Sequence, residues 1–293
     1  MPDYDVRIEI TYDYTLPARS SRTLLRLLPR SEGAQIVLNG LVTADPPPGT
    51  QRMAKDFFGN ALTEMVHDQP LDAITFRFGG RVRREGEASG LDLSTDLATL
   101  RREIGQVADL GPQAPHHFTA PSRRAMPDAA ISAFVRDAVA GQHSTLGAVN
   151  AAAHALHQAM VFDPTATEVT TEPAIAFAAR SGVCQDFSHI LIAGLRALGV
   201  PAGYVSGFLR TRPPPGHKRL EGADAMHAWV RAWCGLRAGW VEIDPTNAIA
   251  AGPDHIAVAY GRDYADVAPV IGTLRSAGAH TTDHKVDVVP VGA

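Results

Sequence analysis

The hydrophobic period of this chain changes partway along its length, and that change narrows the folds open to it. In the first eighty residues Val6, Ile8, Ile10 and Tyr12 alternate with Asp5, Arg7, Glu9 and Thr11, and Ile74, Phe76 and Phe78 repeat the pattern. A period of two sends successive side chains to opposite faces of a strand and leaves one face to be buried. Further strands are expected at 24–28, 35–38 and 61–66, between turn formers such as Pro29, Gly33, Asn39-Gly40 and Pro46-Pro47-Pro48-Gly49. From Pro127 the period lengthens. Ile131, Phe134, Val135 and Ala138 fall on one helical face, with Pro127 suited to the first turn, and Leu146, Val149, Ala153, Leu156 and Met160 predict a second helix. Thr171 is a candidate cap for a short helix over 172–180. Strand patterns return at 203–209, 227–233 and 240–244. The expectation is an α+β chain: an antiparallel β-rich domain over 1–115, then a domain over 116–293 with helices first and antiparallel strands after. The stretch 111–127, rich in Pro, His, Ser and Arg, reads as a linker between them.

With 293 residues, 45% of them hydrophobic, the chain can bury a substantial core in one large domain or two ordinary ones. A net charge of −4 and a pI near 6.3, with no Lys/Arg block, supply no field for nucleic acid or anionic lipid, so neither nucleic acid nor membrane is an expected partner. The acidic start Met1-Pro2-Asp3-Tyr4-Asp5 has no basic and then apolar leader pattern, and the apolar run from Ile190 to Leu198 is interrupted by Gly194 and Arg196. A cytoplasmic location is the expectation. Two cysteines, Cys184 and Cys234, are too few for a disulfide framework, and both are expected as thiols, unbonded to each other.

Cys184 opens a helical pattern in which Phe187, Ile190, Leu191, Gly194, Leu195 and Leu198 recur, stopped by Gly199-Val200-Pro201. A cysteine in the first turn faces unpaired N–H groups and the positive end of the helix dipole, which favour thiolate and can lower a thiol pKa from about 8.5 to about 3.5–7.5. Alone, such a residue is as readily a small core side chain. Downstream, 227–233 and 240–244 form a predicted hairpin through Cys234-Gly235-Leu236-Arg237-Ala238-Gly239. With the turn centred between Gly235 and Leu236, His227 falls opposite Asp244, close enough for the carboxylate to accept the imidazole N–H. A slip of one residue would separate them to opposite faces. Taken singly, His227 is a half-buried strand histidine and Asp244 a strand end that starts an Asx turn before Pro245. Together with Cys184 they make a Cys-His-Asp constellation suited to nucleophilic acyl chemistry. His154 and His157 share a helix face but have no further ligand nearby, and neither a metal nor a cofactor is expected.

The segments Gly182-Val183-Cys184-Gln185-Asp186-Phe187, Arg196-Ala197-Leu198-Gly199-Val200-Pro201-Ala202, Val205-Ser206-Gly207, His227-Ala228-Trp229-Val230, Gly239-Trp240-Val241 and Asp244-Pro245-Thr246-Asn247 resemble the transglutaminase-like superfamily. Asp254-His255-Ile256 and Gly261-Arg262-Asp263-Tyr264-Ala265-Asp266-Val267 continue the likeness. In the first half Leu25-Arg26-Leu27-Leu28-Pro29 and Asp56-Phe57-Phe58-Gly59-Asn60 resemble the β-rich companion domain of bacterial members. The resemblance implies a papain-like core with Cys184 as nucleophile, His227 as base and then acid, and Asp244 as orienting carboxylate. Two departures, Met226 before the histidine and Val161-Phe162-Asp163-Pro164 ahead of the core, bear on the substrate entrance and remove no catalytic group. A peptide or protein amide is the implied substrate, and a thioester the implied intermediate. Water as acceptor gives hydrolysis, which the likeness to members described as cysteine proteases favours. A primary amine gives cross-linking, and a non-catalytic binding protein is a third reading. Gln185 and Gln158 are candidates for a second oxyanion donor, and Trp229, Trp233 and Trp240 could line a groove or belong to the core.

Overall fold

A computed structural model describes residues 2–85, 90–212, 222 and 224–291. Two antiparallel sheets and a group of helices make an α+β architecture. The first sheet is organised by one long strand, β1 (Asp3–Leu25). Its first half lies between β5 (Leu71–Arg84) and the last strand of the chain, and β2 (Gln35–Asp45) pairs with the outside of β5. Its second half pairs with β4 (Ala61–His67), which carries β3 (Thr50–Lys55) on its far side. Alternation decides the face: Tyr4, Val6, Ile8 and Ile10 are buried with Ile74, Phe76 and Phe78, while Arg77, Arg81 and Arg83 pair on the outer face with Glu9, Asp5 and Asp3. These ion pairs are solvent-exposed and contribute little to stability.

A helix that the sequence reading passed over, α1 (Leu97–Gln106), follows, capped by Asp96, whose side chain accepts the Ala98 and Thr99 N–H groups. The stretch expected as a linker is instead packed: it contains a 3-10 turn, Pro115–Phe118, and Phe118 is fully buried against Trp240 and Phe58. Helix α2 (Ala129–Ala138) starts after Asp128, whose side chain accepts the Ile131 N–H, so Pro127 stands just outside the helix. Then come α3 (Thr145–Ala159), β6 (Val161–Phe162), α4 (Pro173–Ala179), β7 (Ser181–Gly182) and α5 (Cys184–Ala197). The residue capping α4 is Glu172; the Thr171 hydroxyl is engaged by the Glu168 N–H.

Helix α5 is the core of the second half. Every residue from Gln185 to Leu195 is buried, because α2, α3 and α4 pack on one side and the second sheet on the other. That sheet runs β11 (Ile249–Ala250), β10 (Trp240–Asp244), β9 (Ala225–Trp233), β8 (Ala202–Leu209), β12 (His255–Gly261) in spatial order. A short α6 (Tyr264–Val267) leads to β13 (Val270–Arg275) and β14 (His280–Val291), which return to β1.

The two sheets meet at the outer edge of β12. Gln35 donates to the Ala257 carbonyl (2.7 Å) and accepts the Ala257 N–H (2.9 Å), and Asn60 does the same for Tyr260 (2.7 and 2.8 Å). Two side-chain amides therefore stand in for a neighbouring strand. Each buried backbone group left without a partner would cost about 1–3 kcal/mol, so the first sheet stabilises the second through this edge. Among the described residues no helix is long and apolar enough to cross a membrane.

Candidate functional site

Cys184 is the first residue of α5 and is half-buried. The helix starts there because Asp186, in its first turn, reaches back to accept the Val183 N–H (2.8 Å) and is itself held by the Thr167 hydroxyl (2.6 Å). Gly182 is required by this packing: a Cβ there would lie 2.6 Å from Asp186 Oδ2. In a first helical turn the N–H groups of Cys184 and Gln185 have no acceptor within the helix. The Cys184 side chain stands beside the ring of His227 on β9, close enough to influence its protonation.

His227 Nε2 donates to Asp244 Oδ2 at 2.8 Å. The hairpin register is offset by two from the expected one: Trp240 faces Trp233 and Ile243 faces Val230, which brings Asp244 level with Trp229. The connection is the expected one, Cys234 to Gly239, but its centre lies one residue later, between Leu236 and Arg237, with the Cys234 N–H bonded to the Gly239 carbonyl. An offset of two preserves the face of a strand, so His227 and Asp244 still meet as diagonal neighbours.

Asp244 is completely buried and accepts five hydrogen bonds. Oδ1 takes the N–H groups of Thr246 (2.9 Å) and Asn247 (3.2 Å), the Asx turn expected before Pro245. Oδ2 takes His227, the Asn247 side-chain amide (2.7 Å) and a second histidine, His255 on β12, at 3.1 Å. Burial would raise the Asp244 pKa, but the hydrogen bonds from His227, His255 and Asn247 outweigh it and hold the carboxyl well below the usual range. Burial likewise lowers the His227 pKa; the hydrogen bond to Asp244 and the neighbouring Cys184 reverse that and raise it to about 10. His227 is thus held as an imidazolium against the buried carboxylate of Asp244, with Cys184 beside it.

Trp229 is the floor of this cluster, stacked at 6.2 Å on His227 and edge-on at 5.2 Å to His255, with Nε1 donating to Glu242. Gly207 makes room for it: a Cβ there would lie 2.5 Å from Trp229 Cη2 and 2.3 Å from the Ile256 carbonyl. Trp229 and Trp233 are core residues, and Trp240 is tied to the Gln113 carbonyl, so the three do not form a groove. The Gln185 amide donates to the Val169 carbonyl, and Gln158 is exposed on α3, which removes the first as a free oxyanion donor and gives the second no partner pointing it there. Val161 and Phe162 are exposed on β6, which pairs with β7 immediately before Cys184.

His227, Asp244 and His255 bring ligand-type atoms within 4.8 Å of one another. They do not suit a cation. Both Nε2 atoms point N–H protons at one carboxylate oxygen, and His255 Nδ1 already accepts the Gly252 N–H (3.1 Å). His154 and His157 bond to backbone carbonyls of Asn150 and Thr246. Cys234 is buried and unbonded to Cys184, its thiol pushed up to about 12 by burial. Sequence reasoning gave no role to His255 or to the side chain of Asn247; the signal for Asn247 was the Asx-turn pattern Asp244-Pro245-Thr246-Asn247, and for His255 its place in the segment Asp254-His255-Ile256 that continues the family likeness.

Comparison with known proteins gives a concordant picture. Residues 132–245 match the transglutaminase-like superfamily core, and residues 4–83 match the bacterial transglutaminase-like N-terminal region. An uncharacterized protein of Mycobacterium tuberculosis is 31% identical over 98% of this chain and 92% of its own length, and one of Mycobacterium leprae is 32% identical over 94% and 95%. A protein-glutamine gamma-glutamyltransferase of Pseudomonas aeruginosa is 33% identical over 93 residues, 31% of this chain and 14% of that one. A crystal structure from Cytophaga hutchinsonii superposes with a TM-score of 0.75 at 19% identity, over 100% of this chain and 91% of the other, a likeness of fold.

Proposed function

The chain belongs to the transglutaminase-like superfamily, and from that premise we propose that it acts on peptide or protein amides through a Cys184 thioester, with water as the acceptor. The observation that carries this reading is the His227–Asp244 hydrogen bond with Cys184, the first residue of α5, beside the same ring.

Asp244 occupies Nε2 of His227, which leaves Nδ1 for the thiol. In the resting site His227 carries a proton on each ring nitrogen, and the reacting form of Cys184 is its thiolate. The sulfur attacks the amide carbonyl carbon, and the oxygen gains a charge and accepts hydrogen bonds that the first-turn N–H groups of Cys184 and Gln185 can donate, each such donor being worth about 3–4 kcal/mol in the transition state. As the C–N bond breaks, His227 gives its Nδ1 proton to the departing nitrogen, which leaves as an amine, and a thioester remains. Neutral His227 then removes a proton from water as its oxygen attacks the thioester. The C–S bond breaks, the acid leaves, and thiolate and imidazolium are restored. Asp244, fixed by the turn and by its low pKa, holds the ring tautomer throughout and stays ionised.

The test is product analysis with a glutamine-containing peptide library, with and without a primary amine. Hydrolysis predicts new acids or cleaved peptides in both mixtures. Amine incorporation in preference to water would replace the acceptor with an amine, a reading favoured by the match to the Pseudomonas aeruginosa enzyme. No turnover of any amide by the intact chain, with Cys184 reactive, would make it a binding protein.

A further inference from the structure

The proton transfers above use one of the hydrogen bonds to Asp244 Oδ2; His255 makes another that they do not require. Its geometry is specific. Gly252 N–H donates to His255 Nδ1, so that nitrogen presents a lone pair, and in the neutral ring the proton sits on Nε2, directed at the carboxylate. The ring is held from several sides. Trp229 lies edge-on to it, and the neighbouring residue Asp254 accepts the Tyr4 hydroxyl (3.1 Å) from the first sheet. Two residues on, Gln35 brackets Ala257, and further along Asn60 brackets Tyr260. The strand that carries His255 is thus fixed by residues of β1, β2 and the loop before β4. The titratable groups facing the cluster are Cys184 from α5, His227 on β9 and Glu242 on β10, the last bonded to Trp229 Nε1 and the Tyr260 hydroxyl and 3.8 Å from Arg84.

We propose that His255 is a positioning residue: locked as the Nε2–H tautomer by Gly252 and held in place by the first sheet, it keeps Asp244 Oδ2 on His227 while Cys184 reacts. This rests on the Cys184-His227-Asp244 reading. It also gives the N-terminal sheet a part in the site, as the support of one hydrogen-bond donor, with no substrate contact needed.

The experiment is the rate of iodoacetamide alkylation of the full chain as a function of pH, for the unaltered protein, His255→Asn, His255→Gln, Cys184→Ala and His227→Ala. Asparagine keeps an acceptor for the Gly252 N–H but is too short to reach Asp244; glutamine places an amide N–H where Nε2–H stood. Loss of one donor to a charged carboxylate predicts that His255→Asn slows alkylation at pH 6 by about 10- to 100-fold. The acid limb of its profile moves to higher pH, because a carboxylate with fewer donors protonates more readily. His255→Gln returns the rate to within about threefold and the limb to its place, a rescue that general loosening of the fold would not give. The proposal is overturned if His255→Asn matches the unaltered protein, or if the asparagine and glutamine variants are equally slow, while Cys184→Ala and His227→Ala still remove the fast reaction. Failure of the underlying reading looks different: fast alkylation surviving Cys184→Ala, or a profile unmoved by His227→Ala. Should His255→Asn not fold, 15N chemical shifts of the histidine rings in the unaltered chain decide the matter; a His255 ring found as the Nδ1–H tautomer refutes the proposal, and the Nε2–H tautomer supports it.

Discussion

Replacing Asp244 by asparagine tests the electrostatic account of the site. The carboxylate is fully buried and offers acceptors to five donors: two backbone N–H groups on Oδ1, and His227, His255 and the Asn247 amide on Oδ2. An asparagine side chain has one oxygen and one NH2 group, so whichever way it is turned the NH2 meets at least two donors. At the same time the His227 imidazolium loses its buried counter-charge. Breaking a buried, hydrogen-bonded charge pair from one side costs about 3–5 kcal/mol, and Asp244→Asn is expected to lose that much stability at pH 7. The sign of the pH dependence follows from the depressed pKa: the carboxylate's contribution is complete above the unfolded value of about 3.9 and is lost as pH falls. With a folded pKa well under 3, the difference between the two proteins shrinks by about 1.3 kcal/mol on going from pH 7 to pH 3. Urea denaturation followed by tryptophan fluorescence at both pH values measures it. A difference below about 1 kcal/mol at pH 7, or one that does not shrink in acid, would refute the reasoning.

Other expectations follow from the same contacts. Gln35→Leu leaves the buried Ala257 N–H without a partner and should cost about 1–3 kcal/mol in urea denaturation, although Gln35 is far along the chain from the second sheet. Gly207→Ala drives a methyl group into the Ile256 carbonyl and Trp229; a loss of about 1–3 kcal/mol and disturbed Trp fluorescence are expected. Native protein titrated with a disulfide reagent at pH 8 should show one fast thiol, with Cys234 reacting only after unfolding, since burial pushes it up to about 12. His227, with a pKa raised to about 10, contributes stability fully below its unfolded value of about 6.5 and loses it as pH rises toward 10; the urea midpoint should fall over that interval, and less so in His227→Gln.

The parts of the fold set by periodicity were legible in the sequence: the alternating strands β1 and β5, the helices α2, α3 and α5, and the hairpin β9-β10. Helix α1 was not, despite Asp96 as a cap with Leu97, Leu100 and Ile104 at helical spacing, because the polar residues around them weaken the apolar stripe. The stretch 111–127 looked like a linker on composition, yet Phe118 is core, a fact that depends on distant partners. The return of β13 and β14 to β1 is a long-range pairing that no local pattern encodes. In the site, Cys184 was marked by its helix and the His227-Asp244 pair by strand face, a property that survives an even register error. His255 was hidden for a geometric reason. In strand order β9 and β8 lie between β10 and β12, about 14 Å on a flat sheet. Only a sheet curled over the shared face of His227, Asp244 and His255 closes that gap to a 3.1 Å hydrogen bond.

The most direct test of the central claim is the reactivity of Cys184 toward an alkylating reagent across pH, compared with Cys184→Ala and His227→Ala. The account predicts one fast thiol that stays reactive well below pH 7, disappears in Cys184→Ala, and in His227→Ala is slowed, with its profile shifted toward that of a free cysteine at about 8.5. Fast reaction at Cys234, or a Cys184 profile indifferent to His227, would contradict it.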